Sequence, residues 1–136
     1  MLLVLTLLAS TCKDEEMAGI KVDLNSPFGI GINKKASLRE SNIAMEIIAI
    51  TDNRCPVDVQ CFSAGDAKVK VNMSGIEPGI TELNFCIGQC GNRYQKADTV
   101  SLQHQNQAYQ LILTEVNPYP GTGNKKKTAV FSIKKS

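Results

Sequence analysis

Five cysteines, one histidine and a cluster of acidic residues are the parts of this 136-residue chain whose types permit chemistry. Cys55 and Cys61 stand six positions apart, Cys86 and Cys90 four apart, and Cys12 stands alone near the start. Thiols so spaced offer three chemistries: metal ligation, dithiol redox cycling and disulfide closure. Zinc knuckles place two residues between ligands, and the common redox motif is Cys-x-x-Cys. The gaps here are five and three residues, so neither pattern fits. In an oxidising compartment four cysteines form two disulfides, in any of three connectivities. Spacing favours the local pairs. Pro56 bends the first loop, and Gly88 permits the tight turn the second needs. An extended strand would hold Cys86 and Cys90 about 13 Å apart, beyond bridging distance. Closures this short contribute about 2 to 2.5 kcal/mol each, against about 4 kcal/mol for a Cys55–Cys86 crosslink. Local staples of this kind shape loops more than they hold a fold.

Nucleophilic catalysis needs a base held beside the nucleophile. The single imidazole, His104, lies in Ser101-Leu102-Gln103-His104-Gln105-Asn106-Gln107, a polar stretch between two apolar runs, which places it on a solvated turn. Orienting groups and oxyanion donors lack candidates, and no two carboxylates form an acid–base pair by spacing. Gly29-x-Gly31 lacks the third glycine and the following helix of a phosphate cradle. The expectation is a non-enzymatic protein without a cofactor.

Binding chemistry is better represented. Asp52, Asn53, Asp58 and Asp66 are oxygen ligands within one loop, but their spacing is not that of a calcium loop, and such residues are ordinary turn formers. No metal is expected there. Arg54 sits beside the cysteine-bounded loop. Exposed and held rigid, it would mimic the substrate of a trypsin-like protease. In a purely structural turn it would instead pair with a carboxylate. Lys125, Lys126 and Lys127 end a long Pro- and Gly-rich loop. With Lys134 and Lys135 they place +5 on the last twelve residues, leaving −3 on the remainder of a chain whose net charge is +2. Such a basic edge suits an anionic glycan or a lipid A phosphate, or simply discourages edge-to-edge aggregation. Tyr94, Tyr109 and Tyr119 are candidates for stacking on sugars, although the chain has no Trp. Net charge near balance argues against a nucleic-acid partner. The partner expected is an unidentified protein or glycan, bound by a monomer.

The elements that position these residues read as strands. Turn chemistry recurs at short intervals, with β-branched runs between. Residues 67–73 alternate strictly, Ala67, Val69, Val71 and Met73 on one face and Lys68, Lys70 and Asn72 on the other. Further strands are expected over residues 28–32, 43–50, 80–85, 100–102, 109–116 and 128–134. The segment 43–50 contains helix formers, but four isoleucines in eight residues favour a buried strand. Seven or eight strands and no helix predict an all-β domain. The expected form is a two-sheet antiparallel β-sandwich, Ig-like, with a small β-barrel as the alternative.

Residues 1–11 form an apolar run without a charge, about half the length needed to cross a bilayer and of the length of a signal-peptide core. Leu8-Ala9-Ser10-Thr11-Cys12 resembles a bacterial lipobox, at which the cysteine is lipidated and becomes the mature N-terminus. Cys12-Lys13-Asp14-Glu15-Glu16 is similar to the export signal of surface lipoproteins of the Bacteroidota. The resemblance implies a signal peptide over 1–11, lipidation of Cys12, an acidic tether over 12–18 and a single domain over 19–136. It also implies localisation to the bacterial outer membrane, lipid-anchored and exposed at the cell surface. Asp52-Asn53-Arg54-Cys55-Pro56, followed by Cys61-Phe62-Ser63-Ala64-Gly65-Asp66-Ala67, resembles a second motif. That motif belongs to small exported bacterial proteins of unknown function, which carry Asp-Ser-Arg-Cys-Pro and later Cys-(Val or Ile)-Trp-Ala-Gly before a strand. Asn53 replaces the Ser here, and Phe62-Ser63 the hydrophobic-Trp pair. This likeness bears on the fold and transfers no activity.

Overall fold

The computed structural model describes residues 19–123 and 126–136. The leader, Cys12, the tether and Lys125 lie outside the described residues. Ten strands and no helix occur among the described residues. They are β1 (Ile20–Val22), β2 (Phe28–Gly31), β3 (Lys35–Leu38), β4 (Ala44–Asp52) and β5 (Asp66–Ser74). These are followed by β6 (Thr81–Cys90), β7 (Arg93–Gln95), β8 (Asp98–His104), β9 (Gln107–Asn117) and β10 (Thr128–Lys135).

Period-two patterning explains the longer strands. In β5, Ala67, Val69, Val71 and Met73 are all buried, while Lys68 is exposed on the opposite face. Segment 43–50 resolves as β4, with Met45 and Ile47 buried. A bulge between Ile47 and Ala49 then shifts its register against β5. The second half of β4 is consequently only half-buried.

The sheets are a six-stranded one, β1-β3-β4-β5-β6-β7, and a four-stranded one, β2-β10-β9-β8. Neighbours are antiparallel except β1 and β3, which run parallel. Both sheets end in free edges, so they form a sandwich rather than a closed barrel. Their inner faces share one apolar core. At its centre Phe85 of the larger sheet meets Phe131 of the smaller edge-on, with ring centroids 5.2 Å apart. The ten strands exceed the seven or eight expected, and three of them match no expected segment. β1, β3 and β7 are only three or four residues long and lie at or next to sheet edges. Runs this short hold too few residues for alternation to stand out, even in β3, where Ala36 and Leu38 are buried.

The antiparallel ladders gather the loops at two poles. Residues 53–65, the β6–β7 hairpin and the loop after Asn117 occupy one. The β5–β6 connection and the β8–β9 turn occupy the other. There His104, the last residue of β8, hydrogen-bonds through Nδ1 to the Gly75 carbonyl, and Glu77 N–H donates to the Gln103 carbonyl at 2.9 Å. The imidazole is therefore a half-buried tie between the sheets, beside the turn rather than on it.

Candidate binding groove at the disulfide pole

The structure pairs Cys55 with Cys61 and Cys86 with Cys90, with Cα–Cα distances of 5.9 and 6.1 Å. The two staples flank one site. Loop 53–65 is drawn shut at its neck by Asn53 N–H to the Asp66 carbonyl (2.7 Å) and Cys55 N–H to the Ala64 carbonyl (2.7 Å). It rests on the end of β6, where Gln89 N–H donates to the Gly65 carbonyl at 2.8 Å. Contact this close requires Gly88: its φ is +94°, and a Cβ there would lie 2.6 Å from the Gly65 oxygen. On the second staple, the Asp98 carboxylate accepts from Cys86 N–H at 2.9 Å, and Gln95 Nε2 donates to the Cys86 carbonyl at 2.6 Å. Those bonds fix the β6–β7 hairpin that carries Tyr94.

Asp52 is the hub. Its side chain is 2% exposed. The carboxylate accepts a two-pronged pair from Arg54, Nε to Oδ1 at 2.8 Å and Nη2 to Oδ2 at 2.7 Å. Lys127 Nζ donates to Oδ2 at 2.9 Å. Arg54 Nη2 also donates to the Val116 carbonyl of β9 at 2.7 Å, so the cluster joins the two sheets. The guanidinium lies over the Tyr119 ring, 4.4 Å from its centroid. Burial by itself would push the Asp52 carboxyl up. The hydrogen bonds from Arg54 and Lys127 outweigh it and hold the group below its ordinary value. The same bond to Asp52 raises Arg54 against its own desolvation.

Three of the five guanidinium N–H groups are thus engaged. Nη1 has no acceptor among the described residues, and no unsatisfied side-chain nitrogen or oxygen is buried there. Arg54 lines a groove of about 260 Å³ together with Tyr94, Lys96, Glu115, Asn117 and Tyr119. Tyr94 and Tyr119 are 60% and 38% exposed, an apolar face beside a fixed donor.

Several expectations change. An exposed Arg54 offered to a protease is not what the fold presents: the side chain is only 11% exposed and both its prongs are held by Asp52. The structural alternative, a pair with a carboxylate, is the arrangement found. Lys127 does not belong to a free basic patch, because its ammonium is bound to Asp52 and to the Pro118 carbonyl. Lys126 is exposed. Tyr109 lies in the core at 8% exposure and takes no part in the groove. Asp58 is exposed on the stapled loop, and the Asp66 carboxylate stands 3.7 Å from Lys68 Nζ. The four oxygen ligands of the loop therefore do not converge, and no trio of His, Cys, Asp or Glu among the described residues is placed to hold a metal.

Sequence reasoning found Arg54 and both disulfides but not the Lys127 bond, which spans 75 positions. It also did not join Tyr94 and Tyr119 into one site. The Asp52-x-Arg54 spacing was the one local signal of the cluster. Comparison with family models, curated proteins and solved structures finds no match.

Proposed function

We propose that this protein is a non-enzymatic, lipid-anchored module of the bacterial outer membrane that binds an anionic glycan in the Tyr94–Tyr119 groove. Anchoring is supported by the lipobox-like Leu8-Ala9-Ser10-Thr11-Cys12 and the acidic run after it, which resembles a surface-export signal. Several acyl chains on Cys12 would hold the chain stably, since one chain alone binds a bilayer only marginally.

One observation carries the ligand class: a guanidinium locked in orientation, with Nη1 unpaired among the described residues, in a groove shared with two exposed phenol rings. Rings stack on the apolar faces of sugars, and a fixed donor pair suits a carboxylate or a hydroxyl pair. Arg54 and Lys96 against Glu115 leave the lining of the groove net positive, which favours an acidic sugar. The groove is small, so it takes one residue of a longer chain. Preorganisation lowers the ordering cost of binding, which matters for so slight a contact. A protease inhibitor presenting Arg54 is the other reading considered, and the engaged guanidinium argues against it.

The test is titration calorimetry against uronic-acid-containing and neutral oligosaccharides. Acidic oligosaccharides are expected to bind, and Tyr94→Ala is expected to weaken them at least tenfold without changing the melting temperature. Equal binding by Tyr94→Ala, or none by the unaltered protein, would remove the glycan reading. For the anchor, a membrane fraction whose Cys12 is unmodified, with residues 1–11 retained, would overturn the lipoprotein reading.

A further inference from the structure

The stapled loop between β4 and β5 bears three apolar side chains that nothing covers. Val57 and Val59 are 56% and 54% exposed, and Phe62 is exposed in full. The loop is not a loose flap: the Cys55–Cys61 bond closes it, and Val57 N–H donates to the Pro120 carbonyl at 3.3 Å. Holding bare apolar groups out on a rigid support is unfavourable in water unless something takes them up.

The geometry points to a lipid bilayer, the one that carries the acyl chains of Cys12, as the occupant. This inference rests on the anchoring reading above. Strand β1 runs parallel to β3, and β3 runs antiparallel to β4. The chain therefore enters β1 from the pole at which β4 ends, the pole of the stapled loop. Gly19 lies against Lys35, which pairs with Glu46, six residues short of Asp52. Six strand residues rise about 20 Å. The seven steps from Cys12 to Gly19 span at most about 25 Å, whatever their conformation. With the tether drawn straight along the strand direction, an anchor at Cys12 thus lies level with this pole or a few ångströms beyond it. The loop projects beyond Asp52 and covers that remaining distance. Phe62, Val57 and Val59 then dip into the interface, where aromatic side chains are favoured, with exposed Lys126 on the neighbouring loop level with the headgroups. Acyl chains already secure attachment, so the loop adds orientation: it fixes the sandwich pole-down, and the groove beside it opens at the membrane surface.

The chain has no Trp, so one introduced Trp reports alone. Among the described residues every core side chain lies between Val22 and Ile133, so a chain beginning at Cys12 carries this core. With the other four cysteines in disulfides, Cys12 is the single thiol and couples to vesicles containing maleimide-headgroup lipid. Two variants are compared, Phe62→Trp at the stapled loop and Ile80→Trp at the opposite pole, where Ile80 is 83% exposed. Emission of Phe62→Trp is expected to shift to the blue on coupling and to be quenched by bromine-labelled acyl chains several times more than that of Ile80→Trp. Emission at position 62 that stays water-like, or equal quenching at both positions, overturns the inference. Coupling here is chemical, so the outcome does not depend on whether cells lipidate Cys12. That question is answered separately by the mass of the Cys12 peptide from the membrane fraction.

Discussion

Asp52 gathers four hydrogen bonds around a carboxylate that is almost wholly withdrawn from water, two from the Arg54 side chain, one from Arg54 N–H and one from Lys127. A buried charge this well partnered contributes little net energy relative to an apolar filling. Removing one partner, however, leaves the others stranded. Asp52→Asn is therefore expected to lower unfolding free energy by about 3 kcal/mol, measured by urea denaturation at neutral pH. The pH dependence has a definite sign. Arg54 and Lys127 hold the folded-state pKa of Asp52 below its unfolded value, so folding favours the ionised form. This stabilisation is fully present above the unfolded pKa, near 4. It is lost as pH falls through the folded pKa. Acid unfolding of the unaltered protein should accordingly be steeper below about pH 4 than that of Asp52→Asn, which has no proton to gain at this position. Arg54, whose pKa is raised, contributes its share at all lower pH and loses it only in strong alkali. Parallel acid titrations of the two proteins would sink this account.

At the scale of elements, legibility followed the origin of each signal. β5 could be read residue by residue because one face is buried and the other is not, and the alternation is written in the side chains. β4 could be read as buried, but its bulge could not, since a register shift depends on the partner strand. β1, β3 and β7 were missed because three or four residues are too few for alternation to stand out from the turn residues around them. Both disulfides were legible because closing distance depends on local spacing alone. Lys127 was not, because its bond to Asp52 joins residues 75 positions apart through a fold that local pattern does not specify. The β6–β7 staple illustrates the energetic scale of such local devices. Replacing Cys86 and Cys90 together by Ser is expected to cost about 2 kcal/mol, read as a lowered denaturation midpoint. Because Asp98 and Gln95 still hold the Cys86 backbone, the Tyr94 hairpin should keep its place, and glycan affinity should fall by less than in Tyr94→Ala. An affinity loss as large as that of Tyr94→Ala would mean that the staple itself builds the groove.

For the whole molecule, the two sheets are joined by one core and clasped at both poles. At the disulfide pole the clasp is ionic, Asp52 with Lys127 and Arg54 with the Val116 carbonyl. At the far pole it is a pair of hydrogen bonds to backbone carbonyls, His104 with Gly75 and Glu77 N–H with Gln103. The nine residues of β4 lie between, so the clasps stand well over 10 Å apart and share no partner. Distant sites without shared partners add within about 0.5 kcal/mol. His104→Ala alone is expected to cost about 1 kcal/mol, the worth of a typical hydrogen bond. Combined with Asp52→Asn, the loss should equal the sum of the two, with a single cooperative transition throughout. A double variant that loses markedly less than the sum would mean that opening one pole already frees the other, so that the sheets separate as a hinge. The groove would then be mobile in a way that its ionic clasp, intact in the unaltered protein, prevents. An additive result places rigidity in the core around Phe85 and Phe131 and leaves each clasp to govern its own pole, which is what a preorganised binding site at one end requires.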